Sequence, residues 1–273
     1  MTYSFVPSMS RVAELLATQA AMRASIQSND PAPKLFALID IAQIPKAAKL
    51  LHHAAPGAPH RLLFADNFAK TALALSPVLV ELDAEPETAT QQIIALDAVC
   101  RQLPVMSLLQ SAMTLDQLDA HLQSLLLIES DGMRYLLRLA DTQMVRAADS
   151  IFQPQQRSRF YMGLTAWLTV DHHGSMDDLC AHPQTQPTTE DLPLQLDAAQ
   201  ADALLTAVIV PTVASQIRHL DPGFARQLTH AEQTAFVTQA IDAARDDGIT
   251  NDDAMIAWTI THWHTVRDNA PRP

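Results

Sequence analysis

The stretch Leu125-Leu126-Leu127-Ile128-Glu129-Ser130-Asp131-Gly132-Met133-Arg134-Tyr135-Leu136-Leu137-Arg138-Leu139-Ala140-Asp141 decides the reading of this chain. An apolar run stops at Asp131-Gly132 and then resumes. Asp-Gly between two strand-like runs is a strong short-range hairpin signal, because a type I′ turn needs positive φ at both central residues. After the turn the side chains alternate. Met133, Tyr135, Leu137 and Leu139 fall on one face, and Arg134, Leu136 and Arg138 on the other. The pattern predicts a strand with a buried face and a face carrying two guanidiniums, set within the sheet of its lobe.

Working outward toward the N-terminus, Ser10 caps a predicted helix over 9–28, which Asn29-Asp30-Pro31-Ala32-Pro33 ends. Lys34 to Asp40 is a short apolar run and reads as a buried strand. Pro45 opens a helix to His53. Arg61–Ala65 reads as a second strand or a buried turn, further strands are expected at Pro77–Leu82 and Pro104–Gln110, helical spacing at Phe68–Leu75, and helices at Glu87–Arg101 and Thr114–Leu125. Beyond the hairpin, Thr142–Ser150 and Gln155–Ala166 read as short helices and Trp167–Val170 as a last strand. Strands interleaved with helices and closed by a hairpin predict an α/β (α+β) lobe with a mixed sheet and flanking helices.

The character changes at His172. From there to Pro193 the chain is rich in Pro, Thr and Gln and poor in apolar residues. Beyond Leu196 every segment reads as helix: Asp197–His219, Thr229–Asp246 and Thr250–Val266. Pro211 is expected to kink or split the first of these. The predicted organisation is an α/β lobe over 1–171, a linker or hinge over 172–195 and an all-helical lobe over 196–273.

Composition excludes several function classes. The net charge is −12, and the four lysines, Lys34, Lys46, Lys49 and Lys70, sit in one region, so there is no basic footprint for nucleic acid. An acidic surface disfavours anionic membranes. No uninterrupted apolar run reaches the roughly 18 residues that span a bilayer. Met1 to Ser10 has no basic region followed by an apolar core, which points to a cytoplasmic protein. Two cysteines, Cys100 and Cys180, do not form a disulfide framework, and both are expected to be free. Only six glycines occur, and no two are spaced for a dinucleotide or phosphate loop, so no cofactor is expected.

Histidines come in pairs: His52-His53, His172-His173, and His262 with His264. Neither adjacent nor i,i+2 helix positions converge on one ion, and no further ligands stand at metal-site spacing, so no metal is expected. There is no Gly-x-Ser-x-Gly elbow for a nucleophilic serine. Glu81 and Asp83 share a strand face, as solvated carboxylates or as an acid–base pair. Arg134 and Arg138 form either a clamp for a partner carboxylate or structural ion pairs, the latter with Asp40, Asp83 or Asp141. Trp258 and Trp263 on the last helix are core residues, or partner contacts if exposed.

The order of these blocks is similar to that of one family. Leu35-Phe36-Ala37-Leu38-Ile39-Asp40 resembles its opening strand, and Leu63-Phe64-Ala65 followed by Ser76-Pro77-Val78-Leu79-Val80-Glu81-Leu82-Asp83 resembles its second block. Leu118, His121-Leu122 and Leu126-Leu127-Ile128, then Asp131-Gly132 and Leu136-Leu137-Arg138-Leu139-Ala140-Asp141, resemble its most distinctive block. Over about residues 34–170 the chain resembles the adaptor (chaperone) family of bacterial type VI secretion. The resemblance implies a non-catalytic protein that holds a toxin effector as cargo and loads it onto the spike protein of the secretion machine. Two departures stand out: Asp40 is followed by Ile41, and Asp141 by Thr142-Gln143 rather than by the family's Pro-Arg. If that Arg contacts cargo, Arg138 or Arg146 is the substitute here. The alternatives are an α/β enzyme with an unrecognised site and an immunity-type inhibitor of a basic toxin.

Overall fold

The computed structural model describes residues 33–44, 46–65, 68–100, 105–170, 176–181, 194–249 and 251–269. The expected helix over 9–28 and residues 172–175 and 182–193 of the expected 172–195 linker lie outside the described residues, while 176–181 and 194–195 of that linker are described and carry strand and 3₁₀ structure. The chain divides into two compact units, Met1–Gln200 and Ala201–Pro273.

In the first unit, six strands form one sheet: β1 (Lys34–Ile39), β2 (His60–Leu62), β3 (Val78–Glu81), β4 (Met106–Ser111), β7 (Leu164–Val170) and β8 (Met176–Asp178). Their order is β2-β3-β1-β4-β7-β8, and every pairing in it is antiparallel. The three remaining strands form a separate small sheet. They are β5 (Leu127–Ser130), β6 (Met133–Leu136) and β9 (Leu194–Gln195), in the order β6-β5-β9, with β5 and β9 parallel. The main sheet is thus wholly antiparallel, and the small sheet is mixed, with β5 antiparallel to β6 and parallel to β9. The DG hairpin belongs to the small sheet and not, as expected, to the main one.

β1 is the centre of the unit for a reason visible in its composition. It is flanked on both edges and buried from Leu35 to Ile39, so it reads as a continuous apolar run without alternation. Leu35, Ala37 and Ile39 point to one face. There they join Val78, Val80, Met106, Leu108, Ala166 and Leu168 in a core closed by helices α1 (Ala47–Ala54) and α2 (Pro86–Cys100). Phe36 and Leu38, fully buried, point to the other face.

Among the described residues of this unit, three further α-helices follow: α3 (Leu115–Leu125), α4 (Thr142–Ile151) and α5 (Pro154–Phe160). Thr114 caps α3 in a capping box with Gln117, as the Thr-x-x-Gln spacing predicts. The expected helix over Gln155–Ala166 is shorter. It ends at Phe160, the chain turns through Gly163 at φ +74°, and β7 begins at Leu164. Trp167 on β7 stacks on Phe160 at 5.2 Å, with Phe152 and Tyr161 edge-on to Phe160, and all four rings are buried. Phe68–Leu75, expected to be helical, forms a 3₁₀-helix over Lys70–Leu75. Neither Cys100 nor Cys180 is in a disulfide.

The second unit is all helical. α6 (Ala198–Leu220) begins in the first unit and continues into this one, followed by α7 (Pro222–Gln227), α8 (His230–Asp246) and α9 (Asp252–Asn269). α6 is not split: it runs through Pro211 as one helix, although proline has no N–H to give to the carbonyl four residues back. By length and mean composition alone, Ala198–Arg218 is also long and apolar enough to cross a bilayer, although it is not an uninterrupted apolar run. Its scattered Gln, Asp and Thr break the run without removing the mean apolarity. Ile209, Val213, Ala214 and Ile217 lie in this unit's core, with Phe224, Val237, Ile241, Ala244, Met255 and Trp263.

Candidate functional site

The hairpin turn has the predicted geometry. Asp131 has φ +51° and Gly132 φ +73°, the pair of positive values that a type I′ turn requires. The ladder runs Ser130↔Met133, Glu129↔Arg134, Ile128↔Tyr135 and Leu127↔Leu136, and one more backbone bond, Leu137 N to Leu126 O at 2.8 Å, closes it. β6 then stops. Leu139 N donates to Leu137 O and Asp141 N to Arg138 O, so the segment after Leu136 folds into turns. Those turns, not strand alternation, bury Leu137 and Leu139, while Met133, on the predicted buried face, is 59% exposed.

The turns also aim Arg138 at two carboxylates. Its Nη2 donates to Asp40 Oδ2 at 2.5 Å, and its Nη1 lies 3.3 Å from Asp141 Oδ2. Each carboxylate also caps a helix start. Asp40, at the end of β1, accepts from Ala42 N at 3.0 Å and opens the 3₁₀-helix Ile41–Gln43; its own N–H donates to Val105 O. Asp141 accepts from Gln143 N and Met144 N at the start of α4. One guanidinium therefore joins the end of the central strand, the exit of the hairpin and the first turn of α4. Asp40 is buried, and Arg138 keeps 38% of its side chain exposed. Burial raises the pKa of Asp141 above its ordinary value, and the Asp40 carboxylate adds to that, against the opposing pull of Arg138 and the Met144 and Gln143 amides. Asp83, offered by the sequence as a third partner, instead accepts from Glu85 N at 2.8 Å.

The remaining sequence-selected residues are dispersed. Arg134 is exposed on β6, with Nε 3.7 Å from its cross-strand neighbour Glu129. Arg146 on α4 pairs with Asp177 of β8. In the second unit Trp263 is buried, edge-on to Phe224 and Phe236, and donates from Nε1 to Asp221 Oδ2 at 2.9 Å. Trp258 is half-buried and stacks on His262 at 4.9 Å; His262 in turn faces Phe236. Of the seven, the structure brings together Asp40, Arg138 and Asp141 alone.

Two networks escaped the sequence reading. Asp149 accepts from the Tyr161 hydroxyl at 2.8 Å, while Arg157 donates to the Asp149 carbonyl at 2.6 and 2.9 Å. Burial first, and then the Asp149 charge, push the Tyr161 phenol up, so it remains a donor. Nearby, burial lowers the pKa of His121, which is held by the Phe160 carbonyl at 3.1 Å. The second network is an amide lock. Gln200 Nε2 donates to Ile151 O and to Gln156 Oε1, both at 2.8 Å, and Gln156 Nε2 donates to Gln195 O at 2.5 Å. No sequence spacing advertises either network, because the partners are 8–49 residues apart. Among the described residues no group of three or more His, Cys, Asp or Glu could hold a metal ion.

No curated protein and no solved structure matches this chain at a significant level. The segment with the Asp40–Arg138–Asp141 bridge does match a family model, and residues 160–273 lie outside that match. Residues 35–159, from β1 into the last turn of α5, match the model of a family described as a domain of unknown function (DUF4123), which is generally linked to adaptors of type VI secretion effectors.

Proposed function

We propose that this protein is a non-catalytic adaptor that binds a type VI secretion toxin effector in the cytoplasm and helps load it onto the spike protein. The match over residues 35–159 carries the reading, since that family is generally linked to such adaptors. The bridge geometry fits a scaffold role: Arg138 is committed to the carboxylates of Asp40 and Asp141, each of which also caps a helix start. Such groups hold a surface in place.

The test is genetic and biochemical. The effector gene is sought beside this one, its product is co-expressed with the tagged chain, and secretion is measured in a deletion strain. Stoichiometric co-purification and loss of that one effector from the secreted fraction are expected. Unchanged secretion of every effector on deletion overturns the adaptor reading. Abolition of the toxin's activity by an equimolar amount of the chain would identify an immunity protein instead.

A further inference from the structure

The geometry points to the open edge of β6 as a strand-addition site for an extended peptide segment that carries a carboxylate and, two residues along, an apolar side chain. The inference rests on the adaptor reading only for the source of the segment, the cargo.

The argument starts from the register. In a two-residue hairpin the pair flanking the turn is hydrogen-bonded, and bonded and non-bonded pairs alternate from there. Ser130↔Met133 and Ile128↔Tyr135 are the bonded pairs, consistent with the next bond observed, Leu137 N to Leu126 O. Arg134 and Leu136 therefore direct their N–H and C=O groups away from β5. β6 is terminal in its sheet, so these groups meet no further strand among the described residues.

Exposed strand edges are usually blunted, and two other edges of this unit are. The outward carbonyl of His60 on β2 accepts from Arg61 Nη1 at 2.9 Å, and Arg61 is tied to Asp116 of α3. On β9 the Gln195 carbonyl accepts from Gln156. Among the described residues, no such bond covers the outer edge of β6. It carries instead two exposed apolar side chains, Met133 and Leu136 at 59% and 40%, with Arg134 between them.

Charge selects the occupant. Arg134 is 65% exposed and its contact with Glu129 is long, at 3.7 Å, so an exposed pair of this kind contributes little and leaves the guanidinium open to a second carboxylate. Arg134 and Leu136 share the outer face, so an added strand sets one side chain opposite each, two residues apart. A carboxylate answers Arg134, and an apolar side chain covers Leu136. A second copy of this chain fits poorly: it would bring no carboxylate of its own β6 to Arg134, and each chain has a net charge of −12. Main-chain bonds supply affinity and the two side-chain positions supply selectivity, as in other strand-addition complexes.

The experiment is phage selection of random linear dodecapeptides on the full chain, followed by binding measurements with the selected peptides. Enrichment of Asp/Glu-x-apolar sequences is expected. Arg134→Pro removes an outward N–H without touching the β5 ladder, and should weaken binding at least tenfold with an unchanged melting curve. Arg134→Glu, which keeps the backbone, should shift the selected residue from acidic to basic. No enrichment, enrichment without that spacing, or equal binding by Arg134→Glu overturns the inference, as does a concentration-dependent dimer that Arg134→Pro abolishes. Selected peptides that bind while no effector does would refute the adaptor reading and keep the edge. An effector still held by both variants would refute the edge and keep the adaptor.

Discussion

Replacing Arg138 by Met tests the bridge, because Met keeps much of the apolar stem and removes only the guanidinium. In the native chain that group faces Asp40, whose side chain is 5% exposed, and Asp141, at 14%. Its removal leaves two poorly solvated carboxylates that repel each other. Breaking a fully buried pair costs about 3–5 kcal/mol, and an exposed pair about 0–1 kcal/mol. Arg138 is 38% exposed, so water enters its place, and the backbone donors of Ala42, Gln143 and Met144 stay with the carboxylates. The expected loss is therefore intermediate, about 2 kcal/mol, which for a unit of this size lowers the melting temperature by roughly 4–8 °C. Urea and thermal unfolding at neutral pH measure it, and hydrogen exchange of β1 and α4 locates it. A cycle with Asp40→Asn should show coupling of about 1 kcal/mol or more. A loss below about 0.5 kcal/mol, within the range of ordinary surface substitutions, would refute the bridge as a structural element. An unchanged melt with weakened effector binding would move Arg138 to the interface.

Asp141 should give the opposite pH response to an ordinary paired carboxylate. Its folded pKa is raised, so the stability linked to its protonated form is present at low pH and is lost as pH rises through that pKa. Wild type should gain on Asp141→Asn, which keeps a capping side chain, as urea titrations move from neutral pH into the acid range just above the ordinary carboxylate value. A constant difference would contradict this. Asp221 is the reverse case: the Trp263 hydrogen bond first, then the Gly223 amide and Arg267, hold its pKa down, so its contribution is lost as pH falls through the lowered value. Asp221→Asn should cost the helical unit about 1–2 kcal/mol and change Trp263 emission, and an unaltered acid-unfolding midpoint would count against the network. Gly132→Ala places a β-carbon at φ +73° with no atom within 4 Å, so the expected cost of about 1–2 kcal/mol is purely conformational. Circular dichroism melts measure it, and a neutral outcome would mean the turn relaxes.

The hairpin shows how far sequence alone reaches. Asp131-Gly132 determined a type I′ turn because the demand for positive φ is local, and Thr114-x-x-Gln117 determined a helix start because capping is local. The apolar run Leu35–Ile39 foretold a strand buried on both faces for the same reason: burial on two sides leaves no polar alternation. The helical second unit was legible in its caps and spacing, and the adaptor resemblance in the order of blocks. Strand partners were not. Alternation says that a strand has a buried face but not which sheet receives it, so the hairpin's place in a separate small sheet, and the antiparallel order of the main one, belong to tertiary structure. The site divides the same way. Sequence named Asp40, Asp83 and Asp141 as equal partners for Arg138, since all three close strands or turns. Only the turns after Leu136, which carry the guanidinium out of the strand and across 98 residues of chain to the end of β1, chose Asp40 and Asp141.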